Sequence, residues 1–152
     1  ALYVKSAAGT EGGGTVDFVS SVASGGVAQV YRISNWHGDI TTTGIAFGAA
    51  TGTSLTPNPP NLSPGWGTLD ILWLAVMFDN TSLAVIGSPT NYTNSTDTTN
   101  TYDDDTIVSA RRELAATSED PGTFQFAAGI DRPWRALTIA VRPAAVASRR
   151  IW

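Results

Sequence analysis

The stretch TIVSARRELAA, Thr106–Ala116, decides the fold class. Side chains in a β-strand alternate between two faces. Here Val108, Ala110, Leu114 and Ala116 fall on one side, and Ser109, Arg111 and Glu113 on the other. That period of two predicts a half-buried strand. Arg112 is the exception, a charged residue standing in the apolar row. Upstream, LDILWLAVMF, Leu69–Phe78, is apolar on both sides. Its aromatic and β-branched content favours a central strand over a short buried helix, the competing reading of such a run.

The same punctuation recurs along the chain. LYVKSA, TVDFVSSV, VAQVYRIS, ITTTGIAFGAA, SLAVIGS, TFQFAA and WRALTIAVR are each bounded by Gly, Pro, Asn or Asp clusters, which reads as about nine strands with no convincing helix. Two longer connections separate them. TSLTPNPPNLSPGWG, Thr53–Gly67, holds four of the eight prolines, so it is expected to run extended across the surface as an ordered crossing. SPTNYTNSTDTTNTYDDD, Ser88–Asp105, is almost wholly polar and is expected to be a mobile loop or a poorly packed edge. Many short strands with two long crossings give an all-β expectation: two antiparallel sheets face to face in a jelly-roll or Greek-key β-sandwich.

Composition limits the partners. The chain of 152 residues is 42% hydrophobic and 14% charged, with a net charge of -4 and Lys5 as its single lysine. One domain is expected over residues 1–143, followed by a tail at 144–152, and a domain of this size buries roughly two thirds of its unfolded surface. No basic field is present to attract nucleic acid or an anionic membrane. The absence of cysteine removes disulfides, thiol nucleophiles and zinc-thiolate sites. Neither a membrane span nor a signal peptide is expected, because no apolar run is long enough.

SEDPGTFQF, Ser118–Phe126, raises the question of chemistry against shape. Proline fixes its own φ and glycine accepts positive φ, so Pro121 and Gly122 suit the centre of a type II turn. Phe124 and Phe126 then share a face and lead, through GIDRP, into WRALTIAVRP, where Leu137, Ile139 and Val141 lie opposite Ala136 and Ala140. The two runs are expected to pair as a hairpin, with Pro143 ending the ladder. A catalytic or metal-binding use of Glu119 with Asp120 is disfavoured, since neighbours in an extended chain point to opposite faces.

Taken together, NPPNLSPGWGTLDILWLAV, SPTNYT, RRELAATSEDPGTFQF and the Trp134–Ala144 stretch WRALTIAVRPA resemble a domain that recurs in structural proteins of tailed bacteriophages. The resemblance spans roughly Phe18–Ala144, and EDPGTF and TIAVRPA are its most specific parts. It implies a virion component with a β-sandwich fold and no enzymatic activity, and it brings no catalytic residues. The expected role is a capsid decoration or cement protein on the head surface, with a tail or fibre module that binds host carbohydrate as the alternative. The expected partners are other virion proteins, the major capsid protein first among them, in a homo-oligomer or symmetric array, with neither nucleic acid nor membrane.

The residues taken alone offer little chemistry. His37, in SNWHGD beside Trp36 and Asp39, reads as a surface histidine rather than a base. No G-x-S-x-G stretch presents a nucleophile. The run Asp103, Asp104, Asp105 is a weak calcium candidate, because it lacks the alternate spacing, central glycine and distal glutamate of a calcium loop. No cofactor is expected. The EGGGT glycines follow no phosphate-loop pattern, and sequons at Asn61, Asn80, Asn91 and Asn94 are what so Thr- and Asn-rich a chain yields by chance. Trp36, Trp66, Tyr92 and Tyr102 lie in predicted turns or loops and are candidates for stacking on sugars. Trp66 has the plainer reading of a cover for the sandwich end. In the tail, Arg149, Arg150, Ile151 and Trp152 are candidate partner contacts, being residue types that commonly anchor interfaces.

Overall fold

β2, Leu69–Asp79, is a central strand with neighbours on both sides, and its sequence shows why. Ile71, Trp73, Ala75 and Met77 bury one face, while Leu74 and Val76 bury the other. The computed structural model describes residues 1–7, 26–81, 83–127 and 129–145, and among these the chain is all-β with no helix. The other strands are β1 Ile45–Ser54, β3 Val85–Gly87, β4 Thr93–Asn100, β5 Asp105–Ala116, β6 Gln125–Phe126 and β7 Arg132–Val141. Five of them form one antiparallel sheet in the order β1-β7-β2-β5-β4, and β3 pairs with β6 in a second, antiparallel as well.

The first face of the large sheet packs on the second layer. Ile71, Trp73, Ala75 and Met77 of β2, Val108 and Ala110 of β5 and Ala140 of β7 cluster with Tyr92, Phe124 and Phe126. This layer is wider than its two short strands. The Phe124 amide donates to the Pro57 carbonyl at 2.9 Å and the Phe126 amide to that of Leu55 at 3.0 Å. Leu62 and Glu119 exchange both of their backbone bonds, at 2.9 and 3.0 Å. On the other flank the Ala127 amide donates to Ala84 at 2.9 Å. The proline-rich stretch is therefore a wall of the core rather than a surface crossing. Pro57 and Pro59 are fully buried, and prolines, which lack a donor, can serve there because their carbonyls accept. Pro60 also accepts from the buried Thr138 hydroxyl at 2.6 Å.

The second face holds Leu74, Val76, Ile107, Ile139 and Val141, packed against Val27, Ile33 and Trp36. VAQVYRIS was expected to be a strand, but it crosses this face without joining the ladder. Its attachments are side chains: the Gln29 amide donates to the carbonyls of Thr96 at 2.9 Å and Ile107 at 3.1 Å, and the Tyr31 hydroxyl meets that of Ser109. LYVKSA also forms no strand, and TVDFVSSV lies outside the described residues.

Two further expectations change. TFQFAA and WRALTIAVR are not a hairpin, since β6 pairs with β3 while β7 inserts between β1 and β2. Pairing does not stop at Pro143 either. Arg142 donates to Gly44 and accepts from His37, both at 2.9 Å, and Ala144 donates to Asn35 at 3.0 Å. The polar stretch, open between loop and edge, contains the edge strand β4.

Candidate functional site

The SEDPG corner resolves into an ion pair. Gly122 takes a φ of 78°, as the third residue of a type II turn requires, and the turn sends Glu119 inward while Asp120 stays exposed. Arg112, the residue that broke the alternation of β5, points to the same interior. Its Nη1 donates to Glu119 Oε1 at 2.9 Å, with 26% of the arginine side chain and 7% of the glutamate exposed. The Tyr92 ring is buried in the same core, with its hydroxyl enclosed beside Glu119. Burial first, then the Glu119 charge, pushes ionisation of this phenol far up. The cluster joins the two layers.

A second polar cluster closes the other end of the same face. Asp79 ends the apolar run of β2 on the side of Ile71, Trp73, Ala75 and Met77, and is buried. Its Oδ2 accepts from the Thr81 hydroxyl, and Thr106 donates to the Thr81 carbonyl at 2.8 Å. Asp79 Oδ1 and Arg132 Nε are buried without a hydrogen-bond partner among the described residues. Burial raises the Asp79 carboxyl above its ordinary range, against the lowering effects of Thr81, the Asn80 amide and the Arg132 charge. Sequence reasoning missed this aspartate. The signal was available, because a period of two carried through Asp79 puts it on the core face.

His37 sits in a hollow of about 470 Å³ with Leu69, Asp70, Arg142 and Pro143. Its backbone amide donates to Arg142, and its ring Nδ1 is buried without a partner among the described residues. Arg142 in turn donates to the Thr43 carbonyl at 3.3 Å. Next to it, the Thr41 hydroxyl and amide hold the Asp39 carboxyl below its ordinary range, the amide donating at 2.8 Å. This aspartate organises the turn before β1, and His37 is part of the join between residues 35–37 and 142–144.

The remaining candidates are dispersed. Asp103, Asp104 and Asp105 lie at the turn from β4 to β5, with Asp104 at a φ of 57°, and no group of three metal-binding side chains forms among the described residues. Trp36 packs on the second face and bridges to Pro143. Trp66 packs on the first cluster and donates to the Thr42 carbonyl at 3.1 Å, as a cover for the sheet end would. Tyr92 is buried, whereas Tyr102 is 91% exposed at the opposite end. The four aromatics form no common platform. Arg149, Arg150, Ile151 and Trp152 lie outside the described residues.

No protein-family model matches the chain, and no curated protein or solved structure matches it.

Proposed function

We propose that this chain is a non-enzymatic structural protein of a bacteriophage particle, acting as a decoration or cement subunit on the head surface and bound to neighbouring virion proteins such as the major capsid protein. One observation carries the reading. The inward-facing side chains of its most motif-like segment are spent on architecture: Glu119 reaches Arg112, while Phe124 and Phe126 fill the interior. A motif that builds a scaffold fits a protein whose task is to hold a shape. The finer topology proposed is a jelly-roll or Greek-key variant, supported by the insertion of late β7 between β1 and β2.

Copy number per particle tests the proposal. Quantitative gels or imaging of purified virions should find hundreds of copies spread over the head. A few copies at the tail tip would favour a module that adsorbs to host carbohydrate, and absence from purified particles would end the virion reading.

A further inference from the structure

The large sheet has two edges, β1 and β4, and they differ in kind. An open edge presents a row of unpaired N–H and C=O groups, which proteins usually blunt with charges, prolines or bulges. β4 is blunted. Its register with β5 shifts between Thr93 and Thr96, Asn94 has a φ of 50°, Asp97 places a charge in the strand, and the Gln29 amide occupies the Thr96 carbonyl. β1 has none of these devices. Its sequence IAFGAATGTS contains no charged residue and no proline. Its pairing with β7 runs unbroken from Ile45 opposite Val141 to Ser54 opposite Arg132.

The register shows which groups of β1 face outward. Arg142 donates to the Gly44 carbonyl, so the polar groups of Gly44 and the other even-numbered residues point toward β7. By the alternation of an antiparallel ladder, those of Phe47, Ala49, Thr51 and Thr53 point away from it. The side chains of these same four residues are exposed, Phe47 by 60%. Among the described residues no strand pairs with this edge.

We propose that the β1 edge is a homotypic interface, on which β1 of a second copy of this chain pairs antiparallel about a twofold axis at Ala49. Such an edge is complementary to an extended backbone of low charge, and β1 is itself one. Pairing it with its own inverse continues the antiparallel order of the sheet and sets no like charges opposite each other. The Ile45 amide is already bonded to the Thr41 carbonyl at 2.9 Å, so the outward-facing groups left open among the described residues run from Phe47 to Thr53, and an axis at Ala49 brings Phe47, Ala49 and Thr51 of each copy into the new ladder. Phe47 then faces Thr51 of the other copy, an aromatic and β-branched combination that favours cross-strand contact. Gly48 faces Ala50, and neither is bulky enough to hold the strands apart. The contact is closed, as twofold interfaces are. It does not rest on the virion reading, because it belongs to the free protein.

The full chain in solution tests this. Sedimentation should show a dimer, and Ala49→Lys, which sets two ammonium groups at the axis, should shift it to monomer with its melting temperature as the check on folding. Because the chain has no cysteine, crosslinking can read the register. With Ala49→Cys, the two Cα atoms meet at about 5.5 Å, within disulfide reach, and a covalent dimer should form on oxidation. With Thr53→Cys, the two thiols lie roughly eight residues, or about 27 Å, apart along the strands, and none should form. A wild-type monomer at high concentration overturns the proposal, including one whose outward β1 amides are protected from exchange by residues of its own chain. Persistence of the dimer in Ala49→Lys, or equal crosslinking by the two cysteine variants, overturns it as well.

Discussion

Arg112 of β5 and Glu119 of the turn that follows it meet at 2.9 Å across the space between the two layers. They are only seven positions apart in sequence, yet they lie in different layers, so the pair fixes the angle at which the chain leaves one for the other. Removing one partner of an enclosed ion pair strands the other charge. Glu119→Ala is expected to cost about 3 kcal/mol, the low end for buried pairs because Arg112 keeps some access to water. Replacing both with leucine should recover most of that loss. Urea midpoints of Glu119→Leu, Arg112→Leu and the double leucine variant measure the coupling directly.

Trp73 is fully buried at the centre of the first face, and its indole N–H donates to the Leu114 carbonyl at 3.3 Å. Trp73→Ala should cost roughly 3 to 5 kcal/mol, a large part of the stability of a domain this size. An unchanged denaturation midpoint would contradict the central position of β2.

Gly52 and Trp134 form a second test of packing. They are opposite each other in the ladder of β1 with β7, and a Cβ on Gly52 would come within 2.4 Å of the indole ring. The ring lies over the glycine and donates to Ser54 Oγ at 2.9 Å. Gly52→Ala should displace it and cost about 1 to 3 kcal/mol. The same substitution placed in Trp134→Ala should cost much less, and thermal melts of the four proteins decide the matter.

Asp79 gives a pH dependence with a definite sign. Its carboxyl is raised above the ordinary 3.8 in the folded chain, so the folded state binds its proton more tightly than the unfolded state does. The stability linked to this group is complete below the ordinary carboxyl value and declines as pH rises through the higher folded value. Asp79→Asn keeps a partner for Thr81 and removes the charge, so the decline should be smaller in the variant. Denaturation midpoints across mildly acidic to neutral pH test this, and identical slopes would count against it.

The legible parts of the fold are those where one face is dry and the other wet, or both are dry. The alternation of β5 was readable, including Arg112 as an exception that the ion pair now explains, but the half-buried reading holds only from Arg111 on: Ile107 and Ser109, on the side read as polar, are buried. β2 was readable as central because it is apolar on both faces. β4 could not be distinguished from a loop, because TNSTDTTN is exposed along most of its length and has no apolar row to betray a period. The proline-rich wall was hidden for a different reason. Chemical identity shows that Pro57 cannot donate, but only the fold shows that it accepts from Phe124. The hairpin reading of β6 with β7 failed because nearness in sequence was taken for pairing. Of the site residues, Glu119 was noticed and its role as a staple was not, since its partner lies across a turn.

The position of β7 also sets the order in which the molecule can come together. β1 and β2 arise early in the chain and never touch as ladder partners, because the strand that joins them, β7, is made last. Contacts this distant in sequence must close large loops before any bonding rewards them, which slows folding. As the chain emerges during synthesis, β2 can zip with β5, but among the described residues β1 has no ladder partner until β7, from Arg132 to Val141, has appeared. A nascent chain stalled before residue 132 would hold an uncharged strand and half of a sheet open to other chains, the kind of intermediate that chaperones are needed to shield.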